Sequence, residues 1–427
     1  MLNRSVAPPI ENAVSFNYDL QACNKHVFNN GIPLYWLSAG TQEVIQIDWV
    51  FKAGLWEEAQ AGVAQATGSL LKNGTHSRTA LQINEALEFY GASLTSSVTN
   101  DYTFITLHAL TKHLDVLLPI IQEIILEASF PEQELEIYIQ NALQRLSIRL
   151  QKTDFVANRQ IDAYLFGKEH PYGKFTTLED IKALTMEGIK AFHKKYYSAQ
   201  NCKIFLAGKI NEDHVKLVEK YFGASQWGSN ELNHPGVFKI TPDDQKKHRL
   251  QLSEKNVQGS IRLNRIFPKR SHPDFAPMVI LNTVFGGYFG SRLMANIRED
   301  KGYTYGIYSH IYSYKEDSAF MIATEAGKEV CEAAITEIYK EMDILCNEKV
   351  SDEELLLVKN YLLGNILGSL DGPFSLIQRW KSTILNNLPE DQFNRNIEIY
   401  KNITPFELQS LAQKYLKKED YFELVVS

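Results

Sequence analysis

Two stretches of the chain carry the same order of apolar and polar positions. After Tyr90-Gly91 comes GASLTSSVTNDYTFITLHAL, and after Tyr305-Gly306 comes GIYSHIYSYKEDSAFMIATEAG. Each predicts a β-hairpin with a polar turn, at Thr99-Asn100-Asp101 in one and Lys315-Glu316-Asp317 in the other. A helical spacing follows each hairpin. Leu114, Leu117, Leu118, Ile121 and Ile125 give the first, and Ala334, Ile335, Ile338, Met342 and Leu345 the second. Two similar helix starts come next. SFPEQELEIYI has Pro131 and acidic residues in its opening turn, and KVSDEELLLVK has Ser351 and Glu354 at capping-box spacing. Tyr305 lies 215 residues after Tyr90 (305 − 90), and Ala334 lies 220 after Leu114 (334 − 114). So steady an offset predicts duplication of one α+β unit.

Residues 226–247 mix Gly, Pro, Asn and charge without a clean period, the composition of a connector. The expected boundary is near residue 232, with domains at 1–231 and 232–427. In each half, half-buried strands and amphipathic helices predict a mostly antiparallel or mixed sheet with helices packed on one face.

Composition narrows the function classes. The 427 residues are 44% apolar and 22% charged, ordinary for a folded globular protein. A net charge of −7 with no long basic run argues against nucleic acid as a partner. Cys23, Cys202, Cys331 and Cys346 form no C-x-x-C pair, and free thiols are expected. The start, MLNRSVAPPIENAVSF, has no apolar core of a signal peptide, and no stretch reaches the roughly 18 apolar residues of a membrane helix. The expectation is a cytoplasmic protein with no membrane partner.

Residues 61–79 read AGVAQATGSLLKNGTHSRT. Val63, Ala66, Leu70 and Leu71 fall at i, i+3, i+7 and i+8, and Asn73-Gly74 is a helix stop. This segment resembles the metal helix of the pitrilysin/insulinase-type zinc peptidases, of the form G-x-A-H-x-x-E-H-x-x-x-x-G-T with R-T shortly after. Gly62, Ala64, Gly74, Thr75, Arg78 and Thr79 fit that frame without a gap. The resemblance puts Gln65 and Ser69 where the family has its two zinc-binding histidines, and Gly68 where it has its general-base glutamate. The third ligand is expected as an acid in the helix after the hairpin, where Asn141-Ala142-Leu143-Gln144-Arg145-Leu146 contains none. Catalytic zinc takes three His or carboxylate ligands and one water, so no metal is expected in this chain. Among the eleven histidines there is no other two-histidine metal motif, and His108, His113 and His170 are expected at surface or turn positions.

The second half resembles the same family. GGYFGSRLMANIREDKGYTYGIYS, from Gly286, has its glycine-rich turn, its S-R-L, and a helix ending in R-x-x-x-G-x-x-Y. Met294, Ile297 and Lys301 run along a helix that Gly302 stops, and Tyr303, Tyr305 and Ile307 alternate as a strand. Arg298 and Tyr305 can then point into the same space. In the family this pair reaches substrate at the zinc of the opposite half, and a guanidinium and a phenol suit a peptide carbonyl. Arg292 is expected to make a structural contact near the glycine turn. In the first-half hairpin Thr95 stands where the family's peptide-lining strand has Asn, so ordinary sheet packing is expected there.

The resemblance spans about residues 15–425. It implies a zinc-free subunit of a heteromeric peptidase that contributes Arg298 and Tyr305 to peptide binding and is inactive alone. Its partner would be a homologous subunit bearing the zinc. The alternative is a purely structural homologue, like the family's core subunits in respiratory complexes.

Overall fold

The computed structural model describes residues 11–229 and 231–427. The first sheet contains β1 (Asn24–Val27), β2 (Pro33–Ser38), β3 (Val44–Phe51), β4 (Ser93–Val98), β5 (Thr103–Leu110) and β6 (Cys202–Gly208), in the order β1-β2-β6-β3-β5-β4. Neighbours are antiparallel except for β2 and β6, which are parallel. The second contains β7 (Lys247–Leu250), β8 (Gln258–Phe267), β9 (Thr304–Ser313), β10 (Ser318–Gly327) and β11 (Phe422–Val426), in the order β7-β11-β8-β10-β9. Without β1 the first sheet reads second, sixth, third, fifth, fourth. The second sheet repeats that permutation, so the duplicated pattern in the sequence is a duplicated topology.

The helices follow the same plan. The first half has α1 (Val63–Leu70), α2 (Ala80–Phe89), α3 (Leu114–Leu126), α4 (Glu132–Arg149), α5 (Thr153–Phe166), α6 (Leu178–Lys182), α7 (Met186–Tyr196) and α8 (Glu212–Phe222). The second has α9 (Phe275–Phe285), a π-helical segment (Met294–Asp300), α10 (Cys331–Asn347), α11 (Asp352–Gly368), α12 (Pro373–Leu385), α13 (Gln392–Asn402) and α14 (Pro405–Tyr415). The hairpins close at the expected turns: Val98 pairs with Thr103 and Ser313 with Ser318. The five apolar positions predicted for each following helix are all buried, on α3 and on α10. Each half has its own core. Ile45, Ile47, Trp49 and Phe51 of β3 belong to the first, and Ile261, Leu263 and Phe267 of β8 to the second.

Ser351 caps α11, its hydroxyl accepting the Glu354 N–H at 3.1 Å. The reciprocal half of the capping box does not form. The Glu354 carboxylate is taken instead by Arg292, in a bidentate pair at 2.9 and 2.8 Å. Arg292 thus ties the helix after the glycine turn to the start of α11.

The chain forms two compact units. One comprises Gln21–Glu254 with Gly372–Ser382 and Val426–Ser427; the other takes Lys255–Asp371 and Thr383–Val425 with the described residues before Gln21. The first unit therefore includes most of α12. Lys381 from that helix is buried against Asp48 of β3, with Nζ 2.8 Å from the carboxylate. Thr106 donates to the same carboxylate at 2.5 Å and Gln46 at 2.8 Å. Asp48 and Gln46 point to the opposite side of β3 from Ile47 and Trp49, as period-2 alternation requires. No helix among the described residues is long and apolar enough to cross a membrane. The four cysteines are free, with Cys202 and Cys331 buried.

Candidate functional site

Two groups of residues carry candidate chemistry, one in each compact unit. In the first unit, α1 buries Val63, Ala66, Leu70 and, just beyond its end, Leu71, the four positions of the predicted apolar stripe. Its N-terminus has no side-chain cap from Gly62. Glu58 supplies one: its carboxylate accepts the N–H of Gly62 at 3.1 Å and of Ala64 at 2.8 Å. These are the donors a helix start leaves without intrahelical partners.

Gln65 and Ser69 stand one turn apart on the exposed side of α1, with Gln65 Nε2 donating to Ser69 Oγ at 3.5 Å. They line a cavity of about 650 Å³, together with Tyr138, Ala142 and Arg145 of α4. The α4 window expected to lack an acid thus does face the two positions of α1. Gly68 is buried behind them. A Cβ there would lie 2.5 Å from Val98 Cγ2 and 3.1 Å from Ser96 Oγ, both on β4. The absence of a side chain lets α1 lie on the hairpin, so the position expected to hold a proton-transfer group is closed by packing.

The donor set does not fit zinc. A primary amide, a hydroxyl and a guanidinium replace two imidazoles and a carboxylate, and a guanidinium repels a cation. Glu58 is the one acid lining the cavity, and its oxygens serve the start of α1. Among the described residues no three His, Cys, Asp or Glu side chains come together in a metal-binding arrangement.

The cavity is cationic. Arg145 and Arg149 of α4, Arg159 of α5 and Lys174 line it, with Phe155 and Phe175 between them. Arg159 stacks on Phe175 at 4.2 Å and on Phe155 at 5.2 Å, and Arg149 covers Phe155 at 4.5 Å. Arg159 donates to the Thr176 carbonyl at 2.6 Å. Burial, then the charge of Arg149, holds the Arg159 guanidinium below its usual range. Burial pushes the Glu58 carboxyl up to about 7, opposed by the N–H groups of Ala64 and Gly62 and by Lys174. Burial also raises the Tyr138 phenol, which shares a hydrogen bond with Ser69.

In the second unit, Arg298 lies in the π-helical segment, where Lys301 N–H bonds Asn296 O, and Gly302 with φ +66° ends the turn. A positive φ is a conformation glycine adopts without strain. Tyr303, Tyr305 and Ile307 do not share one face as simple alternation predicts. Thr324 pairs with Ile307 but Ala326 with Thr304, so β9 carries one extra residue at Tyr305-Gly306. This bulge re-aims Tyr305, which is 93% exposed, while Ile307 stays buried. The bulge is braced: Thr324 Oγ1 lies 2.9 Å from Gly306 O and 2.8 Å from Thr304 Oγ1, its one proton shared between them, and Gly306 N–H donates to Thr304 Oγ1 at 3.1 Å.

The Arg298 guanidinium lies 5.7 Å from the Tyr305 ring centre and 4.5 Å from that of Phe289, an exposed residue of the glycine-rich turn. Among the described residues, Arg298 forms no ion pair and the Tyr305 hydroxyl no hydrogen bond. The structure brings this predicted pair together and adds Phe289 to it. The histidines are accounted for by their neighbours. His108 bonds Gln46 at 3.3 Å, and His113 packs on Tyr90. His170 sits in a turn but is buried, stacked on Phe166 and packed edge-on against Trp56, a correction to any surface placement.

Sequence reasoning passed over Glu58, Phe289 and the cationic lining. The i, i+4 pair of Arg145 and Arg149 was a usable signal, since that spacing puts both on one helix face. Arg159 and Lys174 carried none, because only the packing of α5 and the following turn brings them to α4.

Residues 38–170 match the family Insulinase (Peptidase family M16), and residues 183–362 match the Peptidase M16 inactive domain. An uncharacterized zinc protease of Mycobacterium leprae is 23% identical over 362 residues, covering 84% of this chain and 81% of that protein. One from Rickettsia felis is 25% identical over 347 residues, with coverage of 79% and 81%. Among solved structures, a peptidase M16 inactive domain from Pseudomonas fluorescens superimposes with a TM-score of 0.85 at 22% identity, covering 95% of this chain and 98% of that one. A protease from Helicobacter pylori gives 0.87 at 18%, with coverage of 95% and 99%.

Proposed function

We propose that this chain, which belongs to peptidase family M16 as a homologue without the metal motif, works as the zinc-free subunit of a two-subunit peptidase. The observation that carries the reading is the state of Arg298 and Tyr305. A charged group and a phenol stand side by side on a bulge and a π-helical turn, and among the described residues the first has no ion pair and the second no hydrogen bond. Such irregularities recur at functional sites. A structural homologue would gain nothing from holding Tyr305 in solvent.

In this reading a homologous partner supplies the zinc and its bound water. This chain supplies donors. The Arg298 guanidinium and the Tyr305 hydroxyl hold a peptide carbonyl oxygen and, as charge develops on it, stabilise it. Phe289 limits the guanidinium's freedom by stacking, so less order is lost on binding.

The test mixes the purified chain with a homologous chain that has the intact motif. Peptide cleavage is expected only from the mixture. Arg298→Ala and Tyr305→Phe are expected to assemble normally and to lower kcat by on the order of 10²–10³ for each lost oxyanion donor. Should the pair only position peptide, the loss appears in KM. Wild-type rates from both assembled variants would refute the reading.

A further inference from the structure

We propose that the cavity beside Gln65 and Ser69 is an anion site that takes a peptide carboxylate, from an acidic side chain or a free C-terminus. It rests on the peptide-binding reading above but concerns a different unit and different residues. Four cations line this cavity: Arg145, Arg149, Arg159 and Lys174. The whole chain carries a net charge of −7, so the concentration is local. Among the described residues none of the four forms an ion pair. Glu58 lines the same cavity, and Asp162 lines an adjoining cavity of about 300 Å³ that shares Arg149, Arg159 and Lys174.

The geometry favours a planar anion. Arg149 lies over Phe155 and Arg159 over Phe175, and beyond the one bond Arg159 gives to Thr176 O their guanidinium N–H groups remain to donate. A carboxylate accepts such a fork in bidentate fashion. The aromatic rings and Tyr138 provide an apolar wall for the neighbouring parts of a peptide, and about 650 Å³ is more room than a lone inorganic anion fills. The charge logic is also coherent. A metal cleft presents positive charge through its ion. Here the ion's ligands are gone, Arg145 stands in the window where an acidic ligand is expected, and the positive charge comes from side chains.

The experiment measures binding of labelled hexapeptides to the full-length chain by fluorescence anisotropy. One peptide carries glutamates and a free C-terminus. A second has the glutamates replaced by glutamine and an amidated end. Two intermediates change one feature each, which separates the two sources of carboxylate. The acidic peptide is expected to bind at least about tenfold more tightly than the neutral one, the scale of one charge-assisted hydrogen bond. The advantage should shrink at high salt. Arg145→Gln with Arg149→Gln, both on the exposed side of α4, should remove it while leaving the thermal melt unchanged. Equal affinity for acidic and neutral peptides, or an unchanged preference in the double variant, would overturn the proposal. So would inorganic phosphate binding as tightly as the acidic peptide. Because no partner is needed, failure of the two-subunit activity test would be seen separately from failure here.

Discussion

The α1 region of the first unit and the glycine-rich turn of the second have gone opposite ways. At α1 the chemistry is gone and the packing is tight: Gly68 is buried with β4 where a side chain would be. Near the turn a large side chain faces water: Tyr305 is held in solvent by a bulge that threonine hydroxyls brace. A position released from function is free to improve its packing, whereas exposed aromatic and charged groups on irregular backbone need a reason outside stability. On the proposed reading, the donors to a peptide carbonyl come from the second unit, and the first unit offers only a cationic cavity.

The comparison breaks most readily at Gly68. Gly68→Glu, alone or with Gln65→His and Ser69→His, forces a side chain against Val98 and buries a carboxylate. A loss of roughly 3 kcal/mol is expected from overpacking and polar burial. Calorimetric melting checks it, and elemental analysis of the triple variant should still find no equivalent of zinc. A melt unchanged from wild type would mean that α1 is not closed by packing.

A smaller effect is expected on the other side. Thr324→Val keeps the shape but removes the hydroxyl that braces the bulge, at a cost of about 1–2 kcal/mol. Urea unfolding measures that loss. If Tyr305 depends on the bulge for its direction, the mixed-subunit activity should fall with this variant although Thr324 is buried and touches no substrate. Unaltered activity would show that the brace is dispensable.

The pH response sharpens the anion site. The groups facing Glu58 are the N–H donors of Gly62, Ala64 and Gln65, the charge of Lys174 and the phenol of Tyr138. Below about pH 7 its carboxyl is neutral and the four cations act unopposed; as pH rises through 7 it ionises and offsets one of them. Affinity for the acidic peptide should therefore fall with rising pH, by about two- to fivefold, the range of a partly exposed charge pair. Glu58→Gln should flatten the profile in anisotropy titrations between pH 6 and 8. A profile that rises with pH in the wild type would contradict the assignment.

The smallest effect is the most telling. Tyr305→Ala should change stability by no more than about 0.5 kcal/mol, because the side chain packs on almost nothing. A loss several times larger, read by the same unfolding experiment, would make Tyr305 a structural residue.

Much of this was legible in the sequence because period and turn chemistry are local. The hairpins, the apolar stripes of α1, α3 and α10 and the frame around Gln65, Gly68 and Ser69 needed no knowledge of tertiary contacts. What escaped depends on partners far along the chain. The Tyr305 bulge is defined by β10, so alternation within β9 alone placed Tyr303, Tyr305 and Ile307 on one face. The capping box at Ser351 was half right, because Arg292 competes for Glu354. That Gly68 closes a gap, beyond lacking a side chain, is visible only with Val98 in place. Sequence alone also gave no hint that Gly372–Ser382 belongs to the first unit.

That last feature bears on how the protein is made. Asp48 is fully buried, and its cation, Lys381, is 333 residues later in the chain. A nascent chain that has emerged only as far as residue 254 lacks the helix that covers this face, so Asp48 stands in water without Lys381 and the burial of the pair is deferred. Domains ordinarily fold one after another as they leave the ribosome. Here the first to emerge must wait for almost the last helices, and meanwhile its unfinished face is exposed to chaperones, proteases and other nascent chains.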